Sequence, residues 1–419
     1  MSSPVPPAAF ARGVRRADAP ARAHYGRVFD VAVCPWDDSL FATAGEDETA
    51  RVWRDDGLGS GGGFVSHGVC RGHKDEVVRV AWHPTMRVLA SGSADGAVAV
   101  WRVAQPGEER VANAHDPDEA SVARVDVLSP HPGEVYGCTF VGDGSGGGPV
   151  LATAAGTDLR LWDLETATEL ACVGPMKHGV GGSDTSEKNK LNENKPDRWE
   201  HGYLFSLSSD GGTRNLLASA CSDGTVKLWG CSSSARTATP TASIPNHPNA
   251  LASATCFLPG GDLLASAGSD KTVVVTDVRM AHKPVRKITS PVVVMGLCAV
   301  PGGVRVVENN KNNQQGWLAM VGKDGLVRCV PGEGSSRMTA LRQSDDTDTN
   351  ASHPPTPLLC VAANADGTRV FAAGITREAA AETKPGEDGP FVLKGFGNGS
   401  FDAKKPEPAE IFIWEATSE

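Results

Sequence analysis

Histidine, serine or threonine, and aspartate recur together along the chain, and these residue types form the base, nucleophile and orienting acid of hydrolytic triads. Two such sets are His73, Ser91 and Asp95, and His201, Ser219 and Asp223. A hydrolase needs one triad in one cleft, whereas these residues recur in successive units of the sequence. Their recurrence indicates a structural role, repeated once per unit.

Two further motifs resemble ligand-binding sites, but the residues around them do not fit such sites. Gly57–Gly62 satisfies G-x-G-x-x-G, but a strand-like run, GFVSHGVC, follows it where a dinucleotide site needs a helix. Asp345, Asp346 and Asp348 lack the glycine and the distal glutamate of a calcium-binding EF-hand loop. A flexible loop and a solvated loop explain the two motifs better.

No nucleophile elbow, H-E-x-x-H motif or phosphate-binding loop occurs in the sequence. None of the ten cysteines forms a C-x-x-C pair, so we expect single buried thiols in a reducing compartment. The sequence therefore predicts no catalytic residue, metal, cofactor or small-molecule substrate.

Composition narrows the class of protein further. The chain has 419 residues, 40% hydrophobic and 21% charged, which is enough apolar material for a core. Its formal net charge of −10 disfavours nucleic acid as a partner, because that binding needs a basic face. No window approaches a membrane-spanning length, and residues 1–23 lack the apolar core of a secretory signal. We expect a protein of the cytoplasm, the nucleus or both, without a membrane partner.

Internal repeats are the clearest feature of the sequence. Each unit has an apolar strand, a tight turn rich in Asp and Gly, and a second strand that usually ends in an aromatic residue, which predicts a β-hairpin. Another short apolar strand precedes each unit. The seven units are Leu40–Trp53, Leu89–Trp101, Leu151–Asp163, Leu217–Trp229, Leu264–Asp277, Leu318–Val330, and Val370–Ile375 with Ile411–Trp414.

The repeats resemble those of the WD40 family, whose name-giving marks are present as Gly72-His73 and Trp162-Asp163. The resemblance covers roughly residues 24–414 and implies an all-β fold, a seven-bladed β-propeller of four-stranded blades. It also implies a hydrogen-bonded tetrad in each blade. The complete tetrads are His24, Thr43, Asp47 and Trp53; His73, Ser91, Asp95 and Trp101; and His201, Ser219, Asp223 and Trp229.

Other units keep only part of the tetrad. The fifth has His247, Ser266 and Asp270, but Thr276 stands where the tryptophan would fall. The third has His131, Thr153 and Trp162, and its one-residue deletion leaves the aspartate in doubt. No histidine precedes the sixth unit.

The seventh unit ends at its third strand, so residues 8–14 within an N-terminal tail, 1–23, are expected to close the ring as its fourth strand. Residues 24–419 then form the propeller. Its polar insertions, 174–200, 343–357 and 376–410, fall in loop classes that emerge on one face, conventionally called the top. The stretches 57–63 and 104–120 fall on the opposite face.

Aromatic residues support binding at that top face. The only tyrosines, Tyr25, Tyr136 and Tyr203, each follow a repeat histidine within five residues, and Trp199 lies in the first insertion. Tyrosine and tryptophan are enriched at binding hot spots, although they could instead pack between blades. We therefore expect a non-enzymatic scaffold or adaptor that binds proteins or peptides in a multiprotein complex. Catalysis by residues of a propeller channel is a remaining alternative.

A second alternative comes from Thr276–Arg279. It resembles the W-D-x-R box with which WD40 substrate receptors of cullin-RING ubiquitin ligases dock their adaptor. Asp277 and Arg279 match the box, while Thr276 replaces its tryptophan. The resemblance implies that Arg279 would pair with acidic groups of the adaptor.

Overall fold

The computed structural model describes residues 23–55, 64–104, 121–128, 130–142, 149–174, 202–232, 237–279, 283–301, 306–308, 311–313, 316–331, 338–341, 356–375 and 411–415. These residues form 29 β-strands and no helix. Accordingly, no described segment is a helix that could cross a membrane. The all-β class predicted from the repeats is confirmed.

Seven antiparallel sheets follow one another along the chain, and we call them blades 1 to 7. Blade 1 contains β1 (Val28–Val33), β2 (Leu40–Gly45), β3 (Ala50–Asp55) and β4 (Phe64–Cys70). Blade 2 contains β5 (Val77–Trp82), β6 (Val88–Ser93), β7 (Val98–Val103) and β8 (Val122–Leu128). Blade 3 contains β9 (Val135–Phe140), β10 (Val150–Ala155), β11 (Asp158–Asp163) and β12 (Thr168–Val173).

The second half of the chain repeats this order. Blade 4 contains β13 (Ser208–Ser209), β14 (Leu216–Ala220), β15 (Val226–Ser232) and β16 (Thr237–Ile244). Blade 5 contains β17 (Ala252–Phe257), β18 (Leu263–Gly268), β19 (Thr272–Asp277) and β20 (Pro284–Thr289). Blade 6 contains β21 (Val294–Val300), β24 (Trp317–Gly322), β25 (Val327–Pro331) and β26 (Thr339–Leu341), with the hairpin β22 (Val306–Glu308) and β23 (Lys311–Asn313) inserted after its first strand. Blade 7 contains β27 (Leu358–Ala363), β28 (Arg369–Gly374) and β29 (Ile411–Glu415).

Apolar packing between neighbouring blades closes the ring. Every pair of neighbours shares one cluster of buried side chains, and the last of these joins blade 7 to blade 1. In that cluster the rings of Phe41 and Phe371 lie 5.1 Å apart, and Val28 and Ile413 pack around them. The seven-bladed propeller predicted from the repeats is confirmed. Residues 8–14, the predicted closing strand, lie outside the described residues.

Strand register sets which loops share a face. In blade 1, Val28 at the start of β1 pairs with Gly45 at the end of β2, and Ala50 pairs with Cys70 at the end of β4. The segment before the first strand and the turn between the second and third strands therefore meet at one end, the top face. Turns between first and second strands, and between third and fourth strands, lie at the other end, the bottom face.

A series of buried hydrogen bonds joins four side chains at the top of blade 1. The Trp53 indole donates to Thr43 Oγ1 over 2.8 Å, and Thr43 Oγ1 lies 2.8 Å from Nε2 of His24. Nδ1 of His24 lies 2.8 Å from Asp47 Oδ1. Burial lowers the pKa of His24, so the neutral ring accepts from threonine at Nε2 and donates to the carboxylate at Nδ1. A single tautomer of His24 thus satisfies every polar atom in this series of hydrogen bonds.

Blade 2 has the same arrangement. Ser91 Oγ lies 2.8 Å from the His73 ring and 2.8 Å from the Trp101 indole, and Asp95 is 3.5 Å from Nδ1 of His73. In blade 4, Ser219 and Trp229 are buried, but the predicted hydrogen bond between them is not formed. Among the described residues the Trp229 indole has no partner, Ser219 Oγ donates to the carbonyl of Ala220 over 3.2 Å, and His201 lies outside those residues. There Asp223 accepts hydrogen bonds from the backbone and hydroxyl of Thr225.

Blade 3 lacks the acid. The Trp162 indole donates to Thr153, and His131 Nε2 lies 2.9 Å from the same hydroxyl. Among the described residues, Nδ1 of His131 has no hydrogen-bond partner. Burial, with a smaller contribution from the charge of Arg160, lowers the pKa of His131 to about 4. The one-residue deletion noted in the sequence coincides with this missing carboxylate.

Blade 5 compensates for its missing tryptophan. Nδ2 of Asn246 donates to Ser266 Oγ over 3.0 Å and to Thr276 Oγ1 over 3.1 Å. The amide therefore supplies the donor that an indole supplies elsewhere, while His247 lies 2.9 Å from Ser266 and 3.1 Å from Asp270. The sequence-based reasoning missed Asn246, although its position directly before the repeat histidine was visible.

Blade 6, which has no repeat histidine, uses an arginine. Asp324 lies in the turn between β24 and β25, and Arg328 follows it on β25. Both terminal nitrogens of the Arg328 guanidinium bond the Asp324 carboxylate, one of them at 3.0 Å. Only 7% of Arg328 is exposed, whereas the Asp324 side chain is partly exposed. The acid in this turn thus has a cationic partner instead of an imidazole.

Thr43→Val should lower the free energy of unfolding by about 2 kcal/mol, because it leaves the buried Trp53 indole and the His24 ring nitrogen without a partner. Equilibrium denaturation with urea measures the change. The control, Thr168→Val, removes an exposed hydroxyl of the same residue type and should cost less than about 0.5 kcal/mol. Equal losses for the two variants would contradict a structural role for the chain of hydrogen bonds.

The free energy of unfolding should fall as the pH falls from about 6.5 to about 4. Over this window the unfolded chain protonates its histidines, whereas folded His131 stays neutral because its pKa is about 4. His131→Gln keeps an acceptor for Thr153 but does not titrate, so it should reduce the slope by up to about 1.4 kcal/mol per pH unit. Denaturation curves at several pH values test this. Parallel pH profiles for wild type and variant would refute it.

Candidate functional site

The first strands of all seven blades surround a central channel with a cavity of about 430 Å³. Two of the hydroxyl groups that line it bond each other: Thr255 Oγ1 lies 3.1 Å from Ser206 Oγ. Among the described residues, no histidine lines the cavity. The channel hydroxyls therefore have no imidazole base beside them.

One ion pair on the channel wall joins blades 1 and 2. Arg79 Nη1 lies 3.9 Å from Oδ1 of Asp30, and the same guanidinium donates to the carbonyls of Tyr136 and Phe205 over 2.7 and 3.1 Å. Burial raises the pKa of Asp30, and the charge of Arg79 opposes that shift. A single side chain thus joins strands of four blades, a contact that repeat analysis missed because Arg79 does not recur among the units.

Apolar and aromatic side chains gather at the top mouth of this channel. Val78, Tyr136 and Phe205 form a buried cluster, and the rings of Tyr136 and Phe205 meet edge to face with centroids 5.8 Å apart. Partly buried Phe29 and Tyr203 pack against it. The cluster itself is almost fully buried, so the apolar surface at the mouth comes from the partly buried Phe29 and Tyr203.

The tyrosines differ in exposure. Tyr25 is 38% exposed, Tyr203 is partly buried, and Tyr136 is only 6% exposed. The expectation that Tyr136 offers its ring to solvent on the rim is therefore wrong, because the ring packs against Phe205 and its hydroxyl donates to Glu134. Tyr25 and Tyr203 remain accessible candidates for partner contact.

Acidic side chains lie beside the aromatic cluster and were not singled out from the sequence. Glu46 accepts a hydrogen bond from the backbone of Arg27 over 2.8 Å, and Glu134 accepts one from Tyr136. Burial raises the pKa of Glu76 to about 7, and the charges of Glu46, Asp75 and Glu134 add to the shift while Arg27 opposes it. The top face of blades 1 to 3 therefore carries an excess of negative charge.

Several predicted features lie outside the described residues. These are Trp199, His201, and most of the insertions 174–200, 343–357 and 376–410, together with 57–63 on the opposite side. The strands that flank 57–63 are β3 and β4, whose connection lies at the bottom face. Partner contact by Trp199 stays a prediction.

Asp277 and Arg279 lie at the bottom of blade 5. The Arg279 guanidinium binds Asp277 with Nε at 3.0 Å and Nη2 at 2.7 Å, and its Nη1 lies 2.8 Å from Asp262. Hydrogen bonds from Arg279 lower the pKa of Asp277. The arginine side chain is still 47% exposed, so an outside partner has access to one side of it.

The described residues contain no group of three or more potential metal ligands. All ten cysteines are free, and Cys172 is the exposed one. Burial raises the pKa of Cys138, beside the channel, to about 12, so this thiol is a poor nucleophile near neutral pH.

The chain matches the WD40 family, described as WD domain, G-beta repeat, over residues 21–54, 64–102, 200–230 and 238–277. These stretches contain the central hairpins of blades 1, 2, 4 and 5. Blades 3, 6 and 7 diverge more in sequence, yet their strands follow the same order.

Similar curated proteins share only parts of the chain. A probable cytosolic iron-sulfur protein assembly protein Ciao1 from Culex quinquefasciatus is 46% identical over 79 residues, 19% of this chain and 22% of the relative. Pre-mRNA-processing factor 19 homolog 2 from Arabidopsis thaliana is 31% identical over 159 residues, 30% of this chain and 28% of the relative. Protein transport protein SEC13 from Pyricularia oryzae is 28% identical over 156 residues, 36% of this chain and 48% of the relative.

The chain thus spans less than half the length of each of these relatives. The strand order extends the four matched stretches of this chain to seven blades. The chain contains WD40 repeats and folds as a seven-bladed β-propeller.

Proposed function

We propose that this propeller is a non-enzymatic scaffold that binds other proteins in a multiprotein complex through its top face. The observation that carries the proposal is the channel mouth, where Tyr203 packs against an apolar cluster flanked by acidic side chains. Tyr25 lies exposed before the first strand of blade 1, on the same face. Aromatic anchors beside a polar rim are the usual composition of a protein-binding hot spot.

The channel supports a binding role better than a catalytic one. Its guanidinium donates to two backbone carbonyls and pairs with Asp30, so it is already engaged in holding blades together. The hydroxyls of Ser206 and Thr255 bond each other. A nucleophile and a base within hydrogen-bond reach, which acyl transfer would need, are not brought together among the described lining residues.

The variety of processes named for the relatives supports a scaffold role. Their names refer to iron-sulfur protein assembly, pre-mRNA processing and protein transport, which are different processes. A fold shared across such processes contributes a rigid surface, while function lies in the side chains placed on it. We place this protein in the cytoplasm, the nucleus or both, where single free thiols persist.

A second candidate is a substrate receptor of a cullin-RING ubiquitin ligase. The observation in its favour is that 47% of the Arg279 side chain is exposed at the bottom face. Asp277 holds the guanidinium of Arg279 in place there. Purification of the tagged protein followed by mass spectrometry separates the two candidates. Recovery of a cullin adaptor that is lost in Arg279→Ala supports the receptor, whereas a stable assembly without ligase subunits supports the scaffold.

Tyr25→Ala and Tyr203→Ala should each weaken binding of the principal co-purifying partner by more than about 1 kcal/mol, because each removes an accessible aromatic ring at the proposed interface. Calorimetric titration of the purified partner measures the affinity. Val285→Ala is the control, since it truncates a 59% exposed side chain on β20, away from the channel mouth.

Melting temperatures of the same variants distinguish binding from packing. If the rings act at an interface, affinity falls while the melting temperature stays within about 2 °C of wild type. If the rings serve only to pack between blades, both quantities fall together. Normal binding by both tyrosine variants would refute the top-face proposal.

A further inference from the structure

The most distinctive surface of the molecule is the acidic margin of the channel mouth, built from four carboxylates of three blades. Glu46 lies in the turn between β2 and β3, Asp75 and Glu76 precede β5, and Glu134 precedes β9. The register of blade 1, repeated in blades 2 and 3, brings all four to the top face. The carboxylates are brought together by the ring and are distant in sequence.

This margin is physically continuous with the apolar cluster. The Tyr136 hydroxyl donates to Glu134, while the Tyr136 ring packs on Phe205. The backbone amide of Ala94, which borders the same cluster, donates to the carbonyl of Glu76 over 2.9 Å. Phe29 and Tyr203 pack against the same cluster and are only partly buried. A ligand chain that lies on their accessible parts would therefore be within reach of the carboxylates.

The negative charge of the margin is only partly neutralised within the protein. Arg27 lies 3.7 Å from Glu46 and is the cation that opposes the pKa shift of Glu76. Burial and three neighbouring carboxylates outweigh that cation and raise the pKa of Glu76 to about 7. A partner that brings positive charge would relieve this repulsion and favour the ionised form of Glu76.

We propose that the channel mouth of blades 1 to 3 docks a basic peptide segment of a partner protein, with an apolar side chain against the accessible parts of Phe29 and Tyr203 and Lys or Arg side chains against Glu46, Glu76 and Glu134. The proposal rests on the scaffold function proposed above and specifies the chemistry of the partner. Charge complementarity selects this occupant, because an acidic peptide would meet like charges at the margin.

An array of nine-residue peptides tests the proposal directly. Three sets carry the same central leucine and net charges of about +3, 0 and −3, so charge is the only systematic variable. We expect the full-length protein to select the basic set. Affinities of the best basic peptides, measured by fluorescence anisotropy, should fall as salt increases, because added ions screen the attraction.

The double variant Glu76→Gln, Glu134→Gln should weaken the basic peptides by at least about fivefold, because it removes two of the four facing charges. The matched control is Asp38→Asn, Glu165→Gln, which removes two exposed carboxylates from turns at the bottom face. The control should retain affinity within about twofold, since these charges lie farther than a screening length from the ligand.

A pH series adds a readout that mere misfolding would not produce. Affinity for the basic set should rise between pH 6 and 8 as Glu76 ionises, and the single variant Glu76→Gln should flatten that rise. Circular dichroism and melting temperature establish that each variant is folded. Selection of neutral or acidic peptides, absence of any selected set, or equal losses in the two double variants would overturn the proposal.

Failure of this inference is distinguishable from failure of the scaffold function. If Tyr25→Ala weakens the co-purified partner while the basic peptides show no preference, the top face binds proteins but the assigned chemistry is wrong. If the tyrosine variants bind that partner normally and the basic peptides still depend on Glu76 and Glu134, the basic-peptide site stands without the proposed scaffold interface.

Discussion

Burial of both faces of every blade against its neighbours is the constraint on which the rest of the structure depends. A single blade exposes two apolar faces, so it gains most of its stability only when flanked on both sides. The second strand of blade 1, β2, is buried along its whole length, while the outer strand β12 of blade 3 is largely accessible. Closure between blades 7 and 1 completes this burial, which is why Phe41 and Phe371 meet although they lie far apart in sequence.

Within that ring, buried hydrogen bonds hold the top loops in place, and different blades form them with different residue types. Blade 1 uses an indole, a hydroxyl, an imidazole and a carboxylate in series. Blade 5 replaces the indole with the amide of Asn246, and blade 6 replaces the imidazole with the guanidinium of Arg328. In blades 1, 5 and 6 the polar atoms of these sets find partners, and the residue type that serves is whichever neighbour reaches them. The turns fixed in this way carry Glu46 and position it beside the channel mouth.

The channel mouth combines features that a uniform repeat would not produce. Arg79 joins the first strands of four blades, and Tyr136 belongs both to the aromatic cluster and to the acidic margin. Blades 1 to 4 therefore differ from blades 5 to 7 in what they present at the top. The blades share one framework, but their side chains at the top differ. This difference supports recognition of a partner with complementary charge and shape.

The sequence alone determined the seven hairpin units, the propeller class and the residue sets around His24 and His73, because these features repeat with the period of the fold and depend on local patterns. It also indicated Tyr25 and Tyr203, by their position after repeat histidines. Tertiary structure alone decided that Tyr136 is buried, that Asn246 acts where a tryptophan is missing, and that four carboxylates from three blades gather at one edge. Each of these depends on which side chains of neighbouring blades fill the same space, and that proximity is set by ring closure between residues distant in sequence.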